Sequence, residues 1–135
     1  MRILPKRRKY NMKKICLLVD DSSVVRKICR RIVTELGFEA IEACDGKDAL
    51  EKCEEQIPDV ILLDWNMPVM DGMEFLKAYR DKQKQNNTIV IFCTTENDIT
   101  KIMTAMEAGA NEYIMKPFDA DIIKSKFEQM GLMDN

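Results

Sequence analysis

An α/β fold built on one parallel sheet is predicted by three observations. Five short apolar runs alternate with five amphipathic segments along the body of the chain. Three of those runs are apolar throughout, as strands covered on both faces must be, whereas the other two carry glutamates. Two of the apolar runs stop at aspartates, which places carboxylates where buried strands emerge from the core.

The first strand covers about 14–19, built on Ile15-Cys16-Leu17-Leu18-Val19 and closed by Asp20 and Asp21. The first helix covers about 23–36, with Val25, Ile28, Ile32 and Leu36 on one face and Gly37 as its stop. The second strand is Phe38 to Ala43, and the second helix, about 46–55, turns Ala49, Leu50 and Cys53 inward. Pro58 precedes the third strand, about 59–63, whose run Val60-Ile61-Leu62-Leu63 ends at Asp64. The third helix, about 72–83, buries Phe75, Leu76 and Tyr79 and leads into a polar loop from Gln83 to Asn87. The fourth strand is about 88–93, and the fourth helix, about 97–108, turns Ile99, Ile102, Met103 and Met106 inward before Gly109 stops it. The fifth strand is about 112–115, and the fifth helix, about 119–130, carries Ile122, Ile123, Phe127 and Met130. Strands 1, 3 and 4 belong in the middle of the sheet; Glu39, Glu42 and Glu112 send strands 2 and 5 to its edges. The result is a flavodoxin-like (βα)5 doubly wound sheet of order 2-1-3-4-5, in which ligands bind beyond the C-terminal ends of neighbouring strands 1 and 3.

At 135 residues the chain is one domain, long enough to bury a core without staples. No stretch approaches the length of a transmembrane helix and no signal-peptide core is present, so no membrane insertion is expected. The five cysteines are odd in number and lack metal-ligand spacing, which predicts reduced, mostly buried thiols in a cytoplasmic protein. Histidine is absent, which excludes serine–histidine and cysteine–histidine nucleophiles and any phosphohistidine carried by this chain. Residues 1–11 hold five basic side chains and no acid, so the remainder carries −7 against −2 for the whole. An acidic body is a poor DNA ligand. The basic segment reads as a disordered extension or a misassigned start upstream of Met12, the alternative being an arm for nucleic acid or a membrane surface. Residues 12–135 then form the domain.

The predicted topology gathers Asp20, Asp21, Asp64, Thr94 and Lys116 into one crevice. Three crowded carboxylates need a counter-charge, and oxygen-only ligands favour a hard cation, with Mg2+ leading. A hydroxyl, an ammonium, a metal and an aspartate converging on one point suit phosphoryl transfer, which is mostly positioning and charge neutralisation. Asp64, central and flanked by the others, is the candidate nucleophile.

The pattern Asp20-Asp21, Asp64-Trp65-Asn66-Met67-Pro68 with Asp71-Gly72, Thr94, and Tyr113-Ile114-Met115-Lys116-Pro117-Phe118 resembles the receiver domain of two-component response regulators, in its stand-alone, CheY-like form. The resemblance covers about 12–130 and leaves no residues for a DNA-binding output domain. It implies a bacterial signalling module rather than an enzyme, with only self-phosphorylation and self-dephosphorylation chemistry at Asp64. It implies phosphorylation of Asp64 by a histidine kinase or histidine phosphotransferase. It further implies Mg2+ held by Asp21, Asp64 and the backbone carbonyl of Asn66, with Asp20 acting through water. Lys116 would bond the aspartyl phosphate, the Lys116–Pro117 peptide would be cis, and Thr94 with Tyr113 would form the switch. A downstream protein would be read through helix 4, strand 5 and helix 5, around Ile99, Ala105 and Lys124.

Two rival classes fit less well. A phosphatase of the haloacid-dehalogenase type needs a second aspartate two positions after the nucleophile, where this chain has Asn66. A flavodoxin cradles a flavin phosphate in its first βα loop, where Asp20 and Asp21 would repel it. Single residues also allow plainer roles: Asp20-Asp21 as a helix cap, Thr95 as the cap of helix 4, and Met67, Met70 and Met73 as packing. The basic side chains Arg26, Lys27, Arg30 and Arg31 give helix 1 either a solvated face or a docking face.

Overall fold

The computed structural model describes residues 13–82, 87–95 and 98–134. The basic segment 1–11 and the expectations attached to it lie outside the described residues, as do Gln83 and Asn97, the predicted end of the third helix and start of the fourth.

The observed elements are β1 (Ile15–Val19), α1 (Ser23–Glu35), β2 (Glu39–Ala43), α2 (Gly46–Glu55), β3 (Val60–Asp64), α3 (Gly72–Lys82), β4 (Ile89–Thr94), α4 (Ile99–Glu107), β5 (Glu112–Met115) and α5 (Ala120–Gln129). All strand pairs are parallel and the order is β2-β1-β3-β4-β5. The glutamate-bearing strands are at the edges. Two cores sandwich the sheet. One packs Leu17, Ile61, Leu63 and Phe92 against Ala49 and Cys53 of α2, Phe75 and Tyr79 of α3 and Ala105 of α4. The other packs Cys16, Leu18, Leu62 and Ile91 against Cys29 and Val33 of α1 and Ile123 and Phe127 of α5.

Short polar side chains start each helix by accepting from otherwise orphaned backbone N–H groups. Ser22 Oγ accepts from Val25 N for α1, and Asp45 from Asp48 N for α2. Asp71 accepts from Glu74 N for α3 while Glu74 returns the bond to Asp71 N, a reciprocal capping box. Asp98 caps α4 in place of the expected Thr95, and Asp119 caps α5. Gly37 and Gly109, the predicted stops, lie at φ +96° and +117°, where a Cβ would be strained.

Two predicted faces differ in part. In α1 Val25 and Ile32, and Leu36 at its end, pack against the second core as predicted, but the most buried residues are Cys29 and Val33, and Ile28 is 55% exposed. In α4 only Ala105 is buried, while Ile99 and Met103, expected inward, are 68% and 57% exposed. The sequence offers several equivalent apolar stripes on these helices, and the small residues Ala105 and Cys29 are the ones that allow close approach to the sheet.

Candidate functional site

Parallel register brings the strand ends level. Val19 pairs with Leu63, Asp64 with Cys93, and Thr94 with Met115. The next residues, Asp20 after β1 and Lys116 after β5, therefore emerge beside Asp64 and Thr94 at the C-terminal edge, where the chain crosses from one side of the sheet to the other.

Carboxylate oxygens of Asp20, Asp21 and Asp64 lie within 4.8 Å of one another; Asp20 and Asp64 are buried and Asp21 is exposed. The Lys116 ammonium bridges the buried pair, 3.1 Å from Asp20 Oδ2 and 3.2 Å from Asp64 Oδ1. Ser22 N donates to Asp20 Oδ1 at 2.9 Å, so Asp20 shapes the β1–α1 turn while Ser22, not either aspartate, caps the helix. Burial raises the pKa of Asp64 and the charge of Asp20 raises it further, outweighing Lys116, which pulls it down. For Lys116, burial works against the charge, but the hydrogen bond to Asp20 and the charge of Asp64 prevail and its pKa is raised. An all-oxygen donor set, over-supplied with negative charge and open to solvent at Asp21, fits a hard divalent cation. Asn66, whose carbonyl is the further expected ligand, is exposed two residues beyond β3.

The segment after Asp64 is packed closely. Gly72 N donates to Trp65 O at 2.9 Å, and a Cβ at Gly72 would stand 2.4 Å from the carbonyl oxygen of Asp64 and 2.9 Å from Phe92. Trp65 is half-buried, its ring 4.9 Å from that of Phe92. Met67, Met70 and Met73 pack against the same core, in keeping with their reading as packing.

Thr94 is the buried last residue of β4, and its carbonyl accepts from Lys116 N at 2.8 Å. Tyr113, opposite Phe92 on β5, is half-buried against the core that contains Ala105. The expected recognition surface needs one correction: Ala105 is core, and the exposed apolar side chains of α4, β5 and α5 are Ile99, Met103, Met106, Met115 and Ile122. The Lys116–Pro117 peptide is cis.

Four residues around the pocket were not singled out for it from sequence. Cys29 and Cys93 line a small cavity of about 10 Å³ beside Asp20 and Asp64. Burial pushes the Cys29 thiol up to about 11, and Cys93 higher still, so both stay protonated and inert beside the carboxylates. Gly72 supports Asp64 by having no side chain, and its place next to Asp71 was the available clue. Arg26 reaches the Asp20 carbonyl, although on sequence it read only as part of a basic helix face. A wider cleft of about 420 Å³ opens alongside, between Val25, Ile28 and Cys29 of α1 and Lys116, Pro117 and Phe118.

Comparison with known proteins gives a consistent picture. The family model of the response regulator receiver domain matches residues 16–128. The chemotaxis protein CheY1 of Helicobacter pylori is 39% identical over 114 residues, spanning 83% of this chain and 92% of that protein. A CheY homologue of Campylobacter jejuni is 39% identical over 118 residues, spanning 84% and 89%. Among solved structures, the chemotaxis protein CheY4 of Vibrio cholerae superposes with a TM-score of 0.82 at 33% identity, covering 87% of this chain and 98% of that one.

Proposed function

The chain belongs to the response regulator receiver domain family, and from that premise we propose that Asp64 is its phosphoacceptor, switched by a histidine kinase or histidine phosphotransferase. The carrying observation is the bridge from Lys116 to Asp20 and Asp64 among three converging carboxylates. An Asp64 oxygen attacks the phosphorus of a phosphohistidine; the O–P bond forms as the P–N bond breaks, and the imidazole keeps the electron pair. Lys116, already beside Asp64 Oδ1, follows the phosphoryl group and holds one of its oxygens. The Thr94 hydroxyl, one strand over, takes another. Asp21, Asp64 and the Asn66 carbonyl, with Asp20 through water, would hold Mg2+, which when bound supplies positive charge against the phosphoryl oxygens.

The cleft beside Lys116, lined on α1 by Val25, Ile28 and Cys29, supports approach of the phosphodonor along that helix, which also exposes Val24, Lys27 and Arg31. The exposed apolar side chains of α4, β5 and α5 support a protein as the downstream target. Similarity to chemotaxis proteins of three bacteria favours a cytoplasmic role in chemotactic signalling.

Intact mass after incubation with Mg2+ and acetyl phosphate tests the assignment. Wild type is expected to gain one phosphoryl group and Asp64→Asn none. An undiminished adduct on Asp64→Asn would remove Asp64 as acceptor.

A further inference from the structure

Arg26, in the first turn of α1, folds its side chain back over the sheet edge and is 17% exposed. Its Nη1 donates to the carbonyl oxygen of Asp20, and its Nε donates to Glu42 Oε1 on β2 at 2.9 Å. The second Glu42 oxygen accepts from Arg30 Nε at 2.6 Å. The carbonyl that Arg26 holds belongs to the peptide joining Asp20 to Asp21. That peptide is planar, so fixing its oxygen fixes the directions in which both residues leave it. The N–H of Asp20 is also tied, to Ala43 O at 3.2 Å, so β2 anchors the turn at two points.

We infer that Arg26 is a positioning residue for the acidic pocket: its guanidinium ties the Asp20–Asp21 peptide to Glu42 and so presets both carboxylates for a divalent cation. The inference rests on the Mg2+ reading above. A planar fork with two diverging N–H groups can hold a carbonyl and a carboxylate together, whereas a lysine ammonium is a point charge on a flexible stem. Charge acts in the opposite sense. A cation beside three carboxylates disfavours a second cation, so removing Arg26 through charge alone would tighten Mg2+ binding. The sign of the change therefore separates positioning from electrostatics.

The test is an Mg2+ titration of the full chain at constant ionic strength. Trp65 fluorescence follows binding, and the Mg2+-dependent rise in Tm provides a second readout. Arg26→Gln and Arg26→Lys are each expected to weaken Mg2+ binding about tenfold, the low end for residues that orient metal ligands. Arg30→Gln removes the same charge from the same Glu42 but leaves Asp20 untouched, and is expected to stay within about twofold of wild type. Glu42→Gln keeps Arg26 while loosening its anchor; its expected loss, about threefold, carries the test if the Arg26 variants melt below the titration temperature. Equal or tighter Mg2+ binding in folded Arg26→Gln overturns the inference. So does full recovery in Arg26→Lys, because a single flexible ammonium would then hold the peptide as well as the fork. A wild-type protein that shows no Mg2+ response overturns the metal reading and this inference together. A response lost in Asp21→Ala but kept in both Arg26 variants overturns the inference alone.

Discussion

Asp64 carries two opposed demands. As the proposed phosphoacceptor it must be ionised, yet it is buried beside Asp20, and both effects favour its protonated form over the charged one. Lys116 offsets only part of this. With a pKa raised above its unfolded value, Asp64 binds its proton more readily in the folded state. Its contribution to stability therefore falls as pH rises through the window between the two values. At neutral pH the ionised carboxylate is a net cost to the metal-free fold. Asp64→Asn in chelator-containing buffer at pH 7 is thus expected to raise Tm. The gain should shrink toward zero near about pH 3, where the carboxyl is protonated in both states. Paired melting curves at the two pH values check this; a lower Tm for the variant at pH 7 would show that the bond to Lys116 outweighs the repulsion. Gly72 sets the opposite case. A methyl at 2.4 Å from the Asp64 carbonyl oxygen must push the backbone of Asp64. Gly72→Ala should cost about 2–3 kcal/mol, as overpacking of a tight core does, and should slow acetyl phosphate labelling as well.

Individual elements divide between holding the fold and meeting a partner. The α4 helix is held by the small buried Ala105 and by caps at both ends, with Arg80 donating to Gly109 O at 2.9 and 3.1 Å. Ile99, Met103 and Met106 face solvent, while Ile102 is half-buried. Ile99→Ser and Met103→Ser should therefore change stability by less than about 0.5 kcal/mol in urea melts. Losses of core size, about 2 kcal/mol or more, would mean that these side chains are packed. The adjacent strands carry the proposed switch. Thr94 ends β4, buried, and Tyr113 stands half-buried on β5. If a phosphoryl oxygen draws the Thr94 hydroxyl inward, the space beside β4 becomes available to Tyr113. A target that prefers the new arrangement then shifts the population. Thr94→Ala should still take phosphate at Asp64, yet leave residues 98–118 without the NMR shift changes that a beryllofluoride phosphate mimic produces in wild type. The same shifts in both proteins would disconnect Thr94 from the output face.

For the molecule as a whole, the parallel sheet with its 2-1-3-4-5 order makes the site. The ends of β1, β3, β4 and β5 bring Asp20 and Asp21, Asp64, Thr94 and Lys116 to a common edge, and no single segment contains the pocket. Among the described residues, the two cores either side of the sheet draw on side chains from Cys16 to Met133. A chain starting at Met12 is accordingly expected to keep its urea midpoint and its rate of acetyl phosphate labelling. A loss of more than about 1 kcal/mol, the scale of an ordinary destabilising substitution, would show that residues 1–11 contribute to the domain.

Element order and the central and edge strands were legible in the sequence, as were Asp20, Asp21, Asp64 and Lys116, which the fold brings together. These follow from chain-local facts: apolar runs of strand length, glutamates that a doubly covered strand cannot hold, and aspartates placed where a buried strand must end. Asp20, Asp21, Asp64, Thr94 and Lys116 were legible because each is a polar residue at such an end. Tertiary structure alone decided which helical stripe faces the sheet. Ile99 and Met103 form as good an apolar face as any, but the approach of α4 is set by Ala105, and only packing distances can choose between them. It also decided the contacts made through backbone atoms, the Arg26 bond to the Asp20 carbonyl and the close fit of Gly72 under Asp64. Every residue has a carbonyl, so no residue type marks which one a distant side chain will hold.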